Sequence, residues 1–305
     1  MTATVSGVGV VRPLEPDGEH GRAPTAGWFD YRRELGARGY KYVPPAFQYL
    51  LAAARRAMAD AMGCGDGFPA EARGVVVGTN SAVSALHAAM DRTVVASSAA
   101  ELSPMVAPYF SVNLGGGRLA AEHSFKGFHA TLTTPRVAGL EAIAVAARAL
   151  ALGRARWLLV GATEEALDPG DPAVRASESG AVALVVRRGD GGPGHCRVRT
   201  RFIPPGTAAA TARAVVAAAL ADVVAGYGDP PIVAVLDGSP VGRAVAAALD
   251  ERGRVKVMPA GAGCLEPLAQ VAAALVGAAE PTVVVTAAAE GNVAVALVTP
   301  QGAEN

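Results

Sequence analysis

Two stretches of this chain repeat one another at a fixed spacing, and that repeat limits the fold more than any other feature. Gly139-Leu140-Glu141-Ala142-Ile143-Ala144-Val145-Ala146-Ala147-Arg148-Ala149-Leu150 lies over Cys264-Leu265-Glu266-Pro267-Leu268-Ala269-Gln270-Val271-Ala272-Ala273-Ala274-Leu275. The same offset carries Trp157-Leu158-Leu159-Val160 onto Thr282-Val283-Val284-Val285. A slightly shifted one carries Val182-Ala183-Leu184-Val185 onto Val295-Ala296-Leu297-Val298. Each half therefore predicts an apolar helix, an apolar strand, a turn and a second apolar strand. Runs of this length with β-branched residues suit strands covered on both faces. Val75-Val76-Val77-Gly78-Thr79 and Ile232-Val233-Ala234-Val235 supply an earlier strand in each half. Two related α/β halves that pack their central helices between two sheets give a duplicated five-layer αβαβα sandwich. The halves are expected at 1–195 and 196–305, in one compact unit.

The 305 residues are 51% apolar and 18% charged, enough to bury a large core. A formal net charge of +0 gives no electrostatic footing on nucleic acid or on an anionic membrane surface. Cys64, Cys196 and Cys264 are odd in number and far apart, which matches neither a disulfide framework nor a zinc site and fits a reducing cytosol. Met1 to Gly7 has no basic region and no signal-like apolar core. No apolar run reaches the roughly 18 residues a membrane crossing needs. A soluble, cytoplasmic protein is expected.

Between Phe125 and Ile143 a β-branched run enters a tight turn at Thr134-Pro135-Arg136, and an Ala-rich helix leaves it. This resembles the nucleophile elbow of the β-ketoacyl synthases, in the thiolase superfamily. The family motif runs Gly-Pro, a Ser/Thr-rich strand, Thr-Ala-Cys, then a small residue or two and Gly. The resemblance covers nearly the whole chain. Val5-Ser6-Gly7-Val8-Gly9-Val10-Val11 is similar to the family's opening strand and Gly-x-Gly turn, and Phe29-Asp30 through Tyr42 to the segment before its first long helix. That helix is expected from Pro45 to Met62, with Leu50, Leu51, Ala54, Ala57, Met58 and Ala61 as its apolar stripe. Gly74 to Asn80 and Gly153 to Glu164 resemble successive strands, and Ser177-Glu178-Ser179-Gly180-Ala181 resembles a Gly-Glu-Gly-Ala turn. Ser103 through Leu114 resembles the stretch at the family's dimer interface. The resemblance implies the thiolase fold, to which the repeat points independently. The connections from Glu165 to Ser177 and from Thr200 to Pro231 look short against the family pattern.

Aligned without gaps from Gly127 to Gly139, the family's nucleophilic Cys falls on Arg136. A guanidinium stays protonated and cannot attack a thioester. The family's decarboxylative condensation also needs two His in the C-terminal half, which polarise a thioester carbonyl and stabilise an enolate. The last histidine here is His195, so no placement of gaps supplies either. The His-Gly-Thr segment falls on Asp237-Gly238-Ser239, and the Gly-His segment within Gly261-Ala262-Gly263-Cys264. Loss of all three groups argues against condensation and decarboxylation alike. Arg136 and Asp237 are expected to pair and fill the vacated site. Other candidates read as structural: Cys264 as a small buried thiol, Cys64 in a surface turn, His123 and His129 as surface or packed residues, Lys126 as a solvated charge, and Glu164-Glu165 as a solvated strand end. Gly115-Gly116-Gly117 lacks the Gly-Lys-Ser/Thr ending of a phosphate loop and reads as close-packed backbone.

A ketosynthase-like chain without its nucleophile resembles the chain-length factor, or ketosynthase β-subunit, of type II polyketide systems, nearer to the polyene type than the aromatic. That branch implies a heterodimer with a catalytic ketosynthase subunit, an acyl carrier protein reached through the complex, no cofactor and no metal. Met105, Val106, Pro108 and Tyr109, in the interface stretch, are implied to set the length of the partner's acyl tunnel. Two competing readings are a thiolase-fold acyltransferase using Cys264 or Ser239, and a structural homodimer.

Overall fold

Most strands of this chain are apolar on both sides, and the architecture answers by covering both faces of most of them. The computed structural model describes residues 1–13, 27–62, 65, 67–189, 192–250 and 252–303; Cys64 lies outside them. The first repeat holds β1 (Thr2–Val11), β2 (Arg73–Gly78), β3 (His129–Leu132), β4 (Trp157–Glu164) and β5 (Gly180–Arg187). The second holds β6 (Gly194–Phe202), β7 (Ile232–Leu236), β8 (Val255–Pro259), β9 (Thr282–Ala287) and β10 (Asn292–Pro300). The helices are α1 (Tyr31–Glu34), α2 (Pro45–Asp60), α3 (Ser84–Ala96), α4 (Leu114–Glu122), α5 (Ala138–Ala151), α6 (Ala209–Val224), α7 (Pro240–Leu249) and α8 (Leu265–Gly277).

The sheet order is β3-β2-β4-β5-β1-β6-β10-β9-β7-β8. Read inward from either edge, the order is the same in the two repeats, so the whole is palindromic about the β1–β6 seam. Within each repeat the first-to-third positions are parallel and the next pairings antiparallel. The two expected sheets are thus one ten-stranded sheet, joined where β1 and β6 run antiparallel from Thr2↔Arg197 to Val5↔Gly194. The sheet folds over α5 and α8, which contact strands of both repeats and each other. α2 covers β1, β4 and β5 from outside; α6 and α7 cover strands of the second repeat. Three apolar clusters fill the spaces: one around α5 and α8, one under α2, one under α6 and α7. These are the five layers of the thiolase fold.

Two sets of glycines mark close approaches. A Cβ at Gly7 would stand 2.3 Å from the Ala57 carbonyl oxygen, and one at Gly9 2.1 Å from that of Ala53. The Gly-x-Gly pair is therefore mid-strand and not a turn: it lets α2 lie directly on β1. A Cβ at Gly139 would stand 2.7 Å from the Cys264 carbonyl oxygen. Gly139 and Cys264 are equivalent positions of the repeat, and equivalent positions meet at the axis that relates two copies. The stretch from Thr200 to Pro231, expected as a shortened connection, contains α6, the outer helix of the second repeat. The first long helix ends at Asp60, two residues before Met62.

Candidate functional site

Open α/β sheets present their chemistry at the carboxyl ends of parallel strands, and here the polar buried groups gather at that end. After β3 the chain turns through Thr134-Pro135-Arg136 into α5. Arg136 adopts φ +60°. A left-handed conformation costs a non-glycine residue about 1–2 kcal/mol, so neighbours must hold it. Asn80, just past β2, does so from both sides: its Oδ1 accepts from the Arg136 N–H at 3.0 Å, and its Nδ2 donates to the Thr133 carbonyl at 3.0 Å.

The Arg136 side chain crosses to the second repeat. Its Nη2 lies 3.2 Å from Asp237 Oδ2, with the side chains 13% and 23% exposed. Asp237 follows β7, and its Oδ1 accepts from the Ser239 N–H at 3.0 Å. The expected pairing is present. It is not complete: Nε and Nη1 of Arg136 are enclosed and find no hydrogen-bond partner among the described residues. Ser239 caps α7, its Oγ accepting from the Gly242 N–H at 3.0 Å.

Behind the elbow stand three carboxyl groups whose importance was not foreseen. Glu164 and Glu165, expected as a solvated strand end, are 0% and 4% exposed. The reason is position: β4 ends where the end of β2 and the amino terminus of α8 converge. The Glu164 carboxylate accepts from the N–H groups of Asn80, Ser81 and Cys264 at 2.8, 2.6 and 2.9 Å, and from the Ser81 hydroxyl at 2.8 Å. Such a ring of donors replaces water for a buried charge. Glu178 accepts from the N–H groups of Leu265 and Glu266, at 3.2 and 2.9 Å. Two carboxyl groups from the first repeat thus cap the amino terminus of α8, where the helix dipole favours negative charge. Burial and the neighbouring Glu164 nonetheless push Glu178 up to about 7. Burial pushes Glu165 up to about 8, against a single N–H donated by Ala46 at 3.3 Å. Cys264 is fully buried, and burial holds its thiol well above the ordinary range.

Glu165 lines a cavity of about 510 Å³ beside the amino end of α2, together with Trp28, Tyr42, Tyr49, Leu86 and Val106. Trp28 and Tyr49 rings lie 4.8 Å apart, and burial followed by the Glu165 charge pushes the Tyr49 phenol up to about 12. Of the four residues expected at the tunnel, Val106 lines this cavity, Tyr109 is half-buried 6.5 Å from the Phe47 ring, and Met105 and Pro108 are exposed. Among the described residues no hydrogen bond or ion pair joins this segment to Arg136 or Asp237. Apolar side chains in and near this segment are exposed: Val94, Val95, Met105 and Phe110. Gly115 and Gly116 lie in α4, packed against the rings of Phe47 and His129. The His123 imidazole is held below its ordinary value by burial. Lys126 is largely exposed.

The model of the β-ketoacyl synthase N-terminal domain matches residues 30–183. The chain belongs to the β-ketoacyl synthase family. Solved structures agree with that membership in fold. A chain described as the ishigamide ketosynthase/chain length factor superposes with a TM-score of 0.76 at 22% identity, over 99% of this chain and 100% of that one. A type II PKS acyl-carrier protein in complex with its ketosynthase gives 0.77 at 16% identity, over 98% and 99%. A β-ketoacyl synthase from Burkholderia phymatum STM815 gives 0.73 at 15%, over 98% and 99%. A search of curated proteins returns no match. No helix among the described residues is long and apolar enough to cross a membrane, and no group of His, Cys, Asp or Glu among them could hold a metal ion.

Proposed function

We propose that this chain is a non-catalytic chain-length factor, a ketosynthase β-subunit that pairs with an active β-ketoacyl synthase and shapes its acyl tunnel in type II polyketide biosynthesis. One observation carries the reading: the elbow of a ketosynthase fold holds Arg136, locked by Asn80 and paired to Asp237. The permanently charged guanidinium fills the place where the family's thiol falls, and no histidine follows His195 in the sequence. Val94, Val95, Met105 and Phe110 are exposed apolar side chains of the kind a partner subunit would bury. The outer edge of β3 carries no neighbouring strand among the described residues and adds unpaired backbone groups. Of the solved relatives, one is described as a ketosynthase/chain length factor and another as a type II PKS acyl-carrier protein in complex with its ketosynthase. The chain works in the cytoplasm and reaches the carrier protein through its partner.

Two experiments test the two halves of this reading. Intact-mass measurement after incubation with an acyl thioester should find the chain unmodified, because Cys264 is buried and the Ser239 hydroxyl is engaged in a helix cap. An acyl adduct on either residue would show an acyltransferase instead. In the complex with its ketosynthase, Val106→Trp should shorten the product and Tyr109→Ala should lengthen it. Unchanged product lengths in both variants would remove this segment from the gate.

A further inference from the structure

Glu164 and Glu165 are neighbours in sequence and both buried, yet the fold treats them differently. Glu164 is ringed by backbone and hydroxyl donors. Glu165 takes the Ala46 N–H at 3.3 Å, and its carboxyl lies in the wall of the cavity of about 510 Å³. One long hydrogen bond is a weak substitute for hydration, so burial wins and Glu165 stands near 8. A cation within about 4–6 Å favours the ionised form of a carboxyl and would reverse that shift.

The rest of the wall is rich in aromatic rings. Pro45 opens α2, and Tyr49, one turn on, carries its ring onto Trp28 and Phe29. The three ring centres lie 4.8 to 5.6 Å apart. The Tyr49 phenol, pushed up to about 12, stays neutral. Tyr42 adds a fourth ring nearer solvent. Aromatic faces are electronegative and attract cations. The chain's own Lys41 does this at the rim, its Nζ 5.2 Å from the Tyr42 ring centre. Every group named here lies among the described residues, and the wall continues past Gly27 into residues outside them. Rings with a carboxyl among them suit a cation whose charge is wrapped in apolar carbon: the rings take the alkyl groups and the carboxylate takes the charge. A hard metal ion would instead need a shell of oxygen ligands.

We propose that this cavity binds an alkylated ammonium group, held by the rings of Trp28, Tyr42 and Tyr49 and by the Glu165 carboxylate. The site is independent of the chain-length role, so either can fail without the other. Around Glu165 stand Glu164 on the same strand, Tyr49 on α2 and Lys41 at the rim. Calorimetric titration of the full chain with choline, and with the neutral isostere dimethylbutanol, tests the proposal. One-site saturable binding of choline is expected, with the isostere about tenfold weaker. Because the cation needs Glu165 ionised, binding should release up to about one proton at neutral pH, read from buffers of different ionisation enthalpy. Affinity should rise by up to about tenfold per pH unit towards pH 8 and level off above it. Glu165→Gln should weaken binding about tenfold above pH 8 and remove the proton release. Tyr42→Leu, at an exposed position, should weaken it severalfold without lowering the melting temperature, and decides the matter if Glu165→Gln fails to fold. Lys41→Met should leave choline binding equal or tighter. Absence of saturable choline binding above pH 8, an isostere bound as tightly, affinity independent of pH, weaker binding in Lys41→Met, or unchanged affinity in folded Tyr42→Leu would overturn the proposal.

Discussion

At the scale of single residues, the charged groups behind the elbow decide how the chain responds to mutation and to pH. The Arg136–Asp237 pair is largely buried, and removing one member leaves an uncompensated charge. Asp237→Leu alone should cost about 2 kcal/mol or more, and the double variant Arg136→Met with Asp237→Leu should recover much of that loss. Additive losses in chemical denaturation would contradict a coupled pair. Glu165 and Glu178 set the pH dependence. Their carboxyl groups ordinarily titrate near 4.5, and in the fold near 8 and 7. Across that window the folded chain holds protons the unfolded chain has released, so their contribution to stability falls as pH rises from 4.5 and levels off above about 8. Glu165→Gln should flatten the fall in melting temperature between about pH 5 and 8.5. An unchanged slope would mean that Glu165 titrates normally. The sequence made Arg136 and Asp237 legible because a family motif and the missing histidines located them. Glu164, Glu165 and Glu178 were not legible. A glutamate at a strand end is ordinarily solvated, and only the convergence of β2, β4 and α8 turns these into acceptors for backbone donors.

At the scale of elements, the repeat told most of what the chain would form. β-branched runs over both halves gave the central strands, and the Ala-rich stretches gave α5 and α8. Elements without a repeated pattern went unannounced: α3, α4, α7 and β8, then α6, which lies in the stretch expected as a shortened connection, and the seam ladder, which depends on Thr2 to Val5 of one repeat meeting Gly194 to Arg197 of the other. The α5–α8 crossing offers a direct check on the axis. Gly139→Ala places a Cβ 2.7 Å from the Cys264 carbonyl and should destabilise the chain by about 1–3 kcal/mol, as overpacking does. Gly277→Ala, at the far end of α8, meets nothing within 4 Å and should be neutral or slightly stabilising. Equal effects of the two in thermal melts would place the close crossing elsewhere.

At the scale of the whole molecule, a palindromic ten-stranded sheet closes its seam internally and leaves β3 and β8 as the outer edges. β3 lies in the repeat that carries the elbow, and the exposed apolar residues from Val94 to Phe110 belong to that repeat too. A lone subunit would leave that surface in water. The proposed function therefore rests on a second chain, an active ketosynthase that would bury this surface. The measurement that tests it most directly is the native mass of the complex isolated from the host, with both components identified by peptide mass. The account predicts a one-to-one assembly with a ketosynthase that carries the cysteine nucleophile. A homodimer with no ketosynthase attached would contradict it.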